Sequence, residues 1–470
     1  MNLANVTLAQ ICSKTSGLIY AGQYEAAREE LGALWRGIGE RPSLTITLGL
    51  NAEILLQCGT LSGWLGSASQ LDVQEKAQDL LTEALHIFQT LGLKIKASEA
   101  QYELGMCYFR RGAYDEARIV LDEAMNELED EELQAKILIR RTIIEIWVGK
   151  YHEAWNMLEK ARPAFDKSSN ALKGRWHGQM ALILRRLATA EGRADYADRA
   201  IIEFTAAIYH YEQAKHERYC AINLNNLAML LYKMERFDEA HEHLDRARTF
   251  LEKLNDIGLL AQVEETRARV LLAEERYLEA QQVIVSVVDI FEKGGEHALL
   301  TDALAIKGTA QARLKEYELS LDTFRRSIKI AETAGALSNA GRAALSMIEE
   351  HGKRLSEREL YRIYDHADRW LSLTQDAEDI ARLRACARLV TRKLFGPALD
   401  EHFTLPETVL QYEARFIEQA LKEERGSITR AARRLGITHQ RLAVMLKTRH
   451  KELLDKRKPA MKRSIIRRGK

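Results

Sequence analysis

The feature that most restricts how this 470-residue chain can fold is an internal repeat. An aromatic residue followed three positions later by a small one recurs as Tyr24 with Ala27, Tyr114-Asp115-Glu116-Ala117, Tyr151-His152-Glu153-Ala154, Phe237-Asp238-Glu239-Ala240 and Tyr277-Leu278-Glu279-Ala280. Tyr317-Glu318-Leu319-Ser320 is a weaker copy. With the small residue as marker, and Ala77 and Ala200 added, the spacings from Ala77 to Ser320 run 40, 37, 46, 40, 40 and 40. A unit of that length cannot bury its apolar face alone, so copies must stack into a solenoid. In several copies a second small residue follows seven positions on (Ala84, Ala124, Ala161, Ala247), with a leucine midway (Leu81, Leu121, Leu158, Leu244). Steps of four and three place all of these on one helical face. Only five prolines interrupt the whole chain, so long helices are permitted throughout.

Upstream of the markers, Leu104-Gly105 with Tyr108 and Leu227-Ala228 with Leu231 describe a preceding helix with a small residue at its contact point. Two backbones cross closely there. The series Leu104, Gly105, Tyr108, Ala117, Leu121, Ala124 closely resembles the tetratricopeptide repeat (TPR). The resemblance runs from residue 6 to about 335, with degenerate helices to about 395. It implies an all-α, TPR-like right-handed solenoid of about eight helix pairs. The pitch near 40 exceeds the family's usual 34, and extra length is expected as an insertion at Gly59 to Gln70 and a loop at Glu191 to Asp195. The carboxylate clamp of chaperone adaptors is not expected, because Met106, Ile143 and Met229 hold the inward slot after the small residue.

In such a solenoid the first helix of each pair lines the concave wall. The inward residues then include Glu99, Tyr102, Phe109, Arg110, Lys136, Ile139, Arg140, Trp147, Asn225, Asn226, Tyr232, Gln262, Glu265 and Arg269. Asn225 and Asn226 have the donors and acceptors to hold an extended peptide backbone, and Arg140 and Arg269 suit a carboxylate or phosphate. These four are the candidate groove residues; the alternative is an ordinary solvated wall.

A different signal begins after the connector Gly396 to Pro406, so the expected division is 1–395 solenoid, 396–406 linker, 407–455 DNA-binding domain and 456–470 tail. Glu407 to Arg425 has apolar residues at helical spacing and Gly426 ends it. Ser427 caps a short helix closed by Gly436, and Thr438 caps the next, with Leu442, Met445 and Leu446 on its buried side. Two short helices joined by Leu435-Gly436-Ile437 form a helix-turn-helix. The string from Gly426 to Lys447 resembles the DNA-binding end of the Fis family, carried by Gly426, Ile428, Ala431, Ala432, Leu435, Gly436, Ile437, Leu442 and Leu446. It departs from that pattern at His439 and at Ala443, Val444 and Met445. The resemblance implies that Thr438, His439, Gln440 and Arg441 reach base edges, and that Ser427, Arg430, Arg434 and Lys447 contact phosphates. Between Tyr412 and Lys470 there are 18 basic and six acidic residues, against +1 for the whole chain. The tail from Lys456 adds eight of those cations as a possible arm on the duplex.

Catalysis finds little support: no GxxxxGK[ST] loop and no HExxH occur, and His241 and His243 lie two apart on different sides of a helix. No enzyme activity and no cofactor or metal are expected. Cys12, Cys58, Cys107, Cys220 and Cys386 show no paired spacing and fit buried thiols. The N-terminus lacks the charged start and apolar run of a secretory signal, and no apolar run reaches 18 residues, so a cytoplasmic protein without a membrane contact is expected. Two functions are compatible with these residues. One is a bacterial transcription regulator, expected as a homodimer, whose solenoid senses a peptide, protein or small ligand and whose C-terminal domain binds DNA. The other is an interaction scaffold whose degenerate helix-turn-helix docks or dimerises through Ala443, Val444 and Met445.

Overall fold

The repeat signature marks where the second helix of each pair starts. In the computed structural model Tyr24, Tyr114, Tyr151, Phe237, Tyr277 and Tyr317 are each the first residue of such a helix. Acidic residues follow in the first turn, Asp115 and Glu116 or Asp238 and Glu239 for example, where they face the positive end of the helix dipole. Two residues before each aromatic the backbone turns through a positive φ, at Gly22, Gly112, Gly149, Glu235, Glu275 and Lys315. That left-handed residue reverses the chain in three or four residues and returns amide protons to the last carbonyls of the preceding helix, as from Arg236 to Leu231.

The structure describes residues 3–42, 47–66, 71–126, 128–294, 296–372, 374, 376–395 and 404–456. Among them there are helices and turns and no strand. Nine antiparallel pairs succeed one another: α1 (Leu3–Tyr20) with α2 (Tyr24–Leu31), α3 (Leu48–Leu65) with α4 (Leu71–Thr90), α5 (Lys94–Arg110) with α6 (Tyr114–Met125), α7 (Glu131–Trp147) with α8 (Tyr151–Asp166), and α9 (Asn170–Glu191) with α10 (Ala194–Gln213). The series continues with α11 (Glu217–Lys233) and α12 (Phe237–Leu254), α13 (Ile257–Ala273) and α14 (Tyr277–Gly294), α15 (His297–Arg313) and α16 (Tyr317–Thr333), and α17 (Leu337–His351) and α18 (Glu357–Trp370), before a single α19 (Ala377–Phe395). The chain divides into two compact units, residues 1–390 and 391–470. The second holds α20 (Leu405–Glu423), α21 (Ile428–Arg434), α22 (His439–Thr448) and a 3₁₀ turn at Lys451–Lys456.

The marker residues Ala27, Ala77, Ala117, Ala154, Ala200, Ala240, Ala280 and Ser320 are all fully buried, as the stacking argument requires. The crossing is tightest where the first helix carries glycine. A Cβ on Gly105 would lie 2.8 Å from Leu121, and one on Gly308 would lie 3.0 Å from Phe324. Gly59 makes the same contact, 2.8 Å from Leu81. The extra length near Gly59 is therefore helix as far as Leu65, a correction to the expected insertion; Ser67 to Gln70 lie outside the described residues. The loop expected at Glu191 to Asp195 is an ordinary tight turn on Gly192, and the added residues lengthen α9 to 22 residues and α10 to 20.

All five cysteines are free and buried. Burial pushes the Cys12 and Cys107 thiols up to about 11 and the Cys220 and Cys386 thiols to about 12, so none is a ready thiolate. Among the described residues no helix is long and apolar enough to cross a membrane. The connector from Gly396 to Phe403 and the tail from Arg457 onward also lie outside the described residues.

Candidate functional site

In the C-terminal unit a small core of Ile417, Ala420, Leu421, Ala431, Ala432, Leu442, Leu446 and Leu453 fixes three helices, with Ile437 packed against it. The two turns are set by positive φ at Gly426 and Gly436. Thr438 caps α22, its hydroxyl accepting from the Arg441 amide at 3.2 Å. Ser427 stands at the corresponding position of α21, but its side chain makes no cap bond, which corrects the expectation from the sequence.

This geometry turns the start of α22 outward. Thr438, His439, Gln440 and Arg441 are exposed, as is Lys447 one to two turns on, and Val444 between them is 58% exposed. Ala443 and Met445 are half-buried. Arg430 and Arg434 are exposed too, but both face the end of α20. The Arg434 guanidinium is 2.5 Å from Glu423 and 3.4 Å from Glu424, and Arg430 lies 3.4 Å from Glu424. At the opposite end His450 is fully buried against Glu413, at 3.3 Å. The exposed surface is thus one short helix offering an imidazole, an amide and a guanidinium, side chains able to bond base edges.

In the solenoid unit the odd-numbered helices form the inner wall, and among the described residues they line two open chambers. The first, about 550 Å³, is walled by α1, α3, α5, α7, α9 and α11. The second, about 630 Å³, is walled by α9, α11, α13, α15, α17 and α19. Contacts between residues remote in sequence tie their walls together. The ring of His216, at the α10–α11 corner, donates from Nε2 to the Tyr20 carbonyl at 3.0 Å, and the guanidinium of Arg218 lies 5.1 Å from the Tyr24 ring centre. Arg186 on α9 pairs with Asp376 at 3.2 Å and Lys233 on α11 with Glu378 at 2.5 Å, both at the start of α19.

From the α5–α6 pair to the α15–α16 pair the crossing residue lies twelve positions before the marker, and the residue after it faces inward: Met106, Ile143, Thr189, Met229, Arg269 and Thr309 all line the wall. Of the candidate groove residues, Arg140 lines the first chamber, where it pairs with Glu103 at 2.9 Å and stacks 3.3 Å above Tyr102. Asn226 lines a smaller pocket of about 150 Å³ that shares Trp64, Arg140, Arg175 and Tyr219 with the first chamber. Arg269 lines the second chamber and pairs with Glu265. Asn225, next to Asn226, lines none of these spaces, and its buried Oδ1 has no partner among the described residues. The two asparagines are therefore not brought together as a pair. Phe109 and Trp147 form an edge-on contact 5.8 Å apart, with Trp147 64% exposed, and line no chamber.

Two wall arginines on α9 escaped the sequence reading. Arg175 donates to the Tyr102 hydroxyl at 3.2 Å and stacks over Tyr219. Among the described residues Arg185 reaches only the Asn226 Oδ1, at 3.4 Å. The repeat register of Ala200 would have found Arg185 and Arg186, but the loop expected between Ala181 and Ala200 hid it.

Residues 408–446 match the family described as bacterial regulatory protein, Fis family. No curated protein matches the chain. Among solved structures, a Rap protein complexed with Competence and Sporulation Factor shares 13% identity at a TM-score of 0.50, covering 73% of this chain and 99% of its own. A STAND signal-transduction ATPase with a tetratricopeptide repeat sensor from Pyrococcus horikoshii shares 13% identity at a TM-score of 0.49, covering 77% of this chain. The match spans only 57% of that ATPase. NprR in complex with its cognate peptide NprX shares 14% identity at a TM-score of 0.45, over 74% of this chain and 98% of its own. The solenoid is TPR-like in fold, and the chain joins it to a Fis-type helix-turn-helix.

Proposed function

We propose that this TPR-like solenoid with a Fis-type helix-turn-helix is a DNA-binding transcription regulator, not an enzyme, in which the solenoid is the sensor. The observation that carries the reading is the exposed first turn of α22, with Thr438 spent on the cap and His439, Gln440 and Arg441 free to meet a major groove. Arg441 and Gln440 are the base-reading groups, suited to guanine and adenine respectively. Lys447, Arg430 and Arg434 are the phosphate contacts, the two arginines exchanging Glu423 and Glu424 for the backbone.

The solenoid supports the sensor role through its two chambers, each within the size range of a small-molecule or short-peptide site. The Rap protein of similar fold holds a factor, and we extend a peptide, protein or small ligand to this chain on the strength of those chambers. Without a nucleotide-binding loop, switching energy must come from the ligand's differential affinity for two states of the protein. A homodimer on a palindromic site in the cytoplasm completes the proposal.

A salt series tests it. Full-length protein titrated onto genomic fragments should show log affinity falling steeply with log salt, since each neutralised phosphate contributes about −0.9 to the slope. A slope near zero would remove DNA as the partner and leave the scaffold reading, in which exposed Val444 is a protein contact.

A further inference from the structure

The second chamber holds one cation that, among the described residues, no carboxylate contacts. Six cations line it: Arg185, Arg186, Lys233, Arg269, Arg342 and Arg382. Five of them hold carboxylates. Arg186 has Asp376, Lys233 has Glu378, Arg269 has Glu265, Arg342 has Asp379 at 3.0 Å, and Arg382 has Glu349 at 2.8 Å. The chamber's fourth carboxylate, Asp302, is held by the Asn339 amide at 3.0 Å. Among the described residues Arg185 has no carboxylate, only the long contact to Asn226.

An arginine in that position is expensive. A guanidinium partly removed from water without a counter-charge loses solvation that nothing returns. Its acidity reports the same thing: burial, and then the neighbouring charge of Arg186, push Arg185 down to about 10. The site around it suits an oxyanion. The five N–H groups of the fork have one weak internal acceptor, the Asn226 amide stands beside them, and the chamber of about 630 Å³ leaves room for what carries the anion.

We propose that the second chamber binds an oxyanion-bearing ligand, a carboxylate or phosphate, through Arg185. The proposal rests on the reading of the solenoid as a sensor and specifies the ligand's chemistry. Arg186, already committed to Asp376, raises the local potential without taking the anion itself.

The test uses the full-length protein at constant ionic strength, titrated calorimetrically with three probes: inorganic phosphate, a pool of short N-acetylated peptides with free C-terminal carboxylates, and the same pool amidated. Binding of the free-acid pool but not the amidated one assigns a peptide carboxylate, and binding of phosphate assigns a free phosphoryl anion. Either must weaken at least tenfold in Arg185→Gln, and Arg185→Lys must recover only part of it, because a point charge cannot reproduce the fork. The ligand-free thermal midpoint separates this role from a structural one: Arg185→Gln should raise it, since an uncompensated charge has been removed, whereas an arginine that holds the wall together would lower it. No anion binding, anion binding indifferent to Arg185→Gln, or a lowered midpoint each overturns the proposal. DNA affinity measured in parallel without any anion keeps the outcomes distinct. Loss of DNA binding in the wild type would remove the regulator and leave the anion site standing.

Discussion

Acidification should loosen the solenoid at one identifiable place, the closure between the α1–α2 and α10–α11 corners. His216 is 6% exposed there, and its Nε2 donates to the Tyr20 carbonyl while Nδ1 is buried with no partner among the described residues. A second proton on Nδ1 would have no acceptor and would face Arg175 and Arg218. Burial, opposed by the Tyr20 bond and reinforced by those two cations, pushes His216 from 6.5 down to about 4. The unfolded state therefore takes the proton first. Stability is complete above the unfolded value of 6.5, falls as pH drops from 6.5 towards about 4, and is level below that. At about pH 5 the loss is about 2 kcal/mol, one and a half pH steps at roughly 1.4 kcal/mol each. The assay is native-state hydrogen exchange of the two corners, corrected for intrinsic rates, because a solenoid opens locally before it unfolds globally. Between about pH 7.5 and pH 5 the corners should exchange roughly 30-fold faster in the wild type. In His216→Gln, which keeps a donor and has nothing to titrate, the change should be absent. Parallel behaviour of the two proteins over that range would refute the assignment.

Three further outcomes follow from the same structure. Arg441→Ala should lower affinity for a specific site by about 1–3 kcal/mol while leaving random DNA nearly unaffected, measured by anisotropy; equal losses on both would make Arg441 a phosphate contact. Glu423→Gln with Glu424→Gln should raise affinity on all sequences and steepen the salt slope, because Arg430 and Arg434 no longer have to leave carboxylates. Gly105→Val should cost about 1–3 kcal/mol in denaturant unfolding, since the added carbon meets Leu121 at 2.8 Å, and an unchanged midpoint would mean that helices α5 and α6 do not cross there.

What could be read from the sequence was whatever obeys a local rule. The start of each second helix was legible because an aromatic, an acid and a small residue each meet a separate demand of one helical turn, and the buried series from Ala77 to Ser320 reproduces it. Glu235, Glu275 and Lys315 show the limit: the turn needs a left-handed residue, and here tertiary packing imposes that conformation on side chains that disfavour it. The 46-residue gap before Ala200 was misread for a related reason. A longer spacing says that residues were added, but longer helices and a longer loop have the same length in sequence. Only the packing of α9 against α10 decides between them.

The chambers were legible as a wall and not as charges. Counting along a helix places Arg140 and Arg269 inward correctly, yet whether an inward arginine is available depends on its partner. Glu103 and Arg140 are neighbours in adjoining repeats, whereas Arg186 meets Asp376 across 190 residues, a pairing that exists only because α19 returns to α9. That closure is what isolates Arg185: the nearby acid goes to its neighbour, and Arg185 has only an amide. It also makes α9 and α11 common to both chambers, with Arg175 and Tyr219 on one and Arg185, Met229 and Tyr232 on the other. Arg185 and Arg175 thus sit on one helix, and if an anion on Arg185 changes the affinity of the first chamber, a ligand in the first chamber changes the affinity for that anion by the same factor.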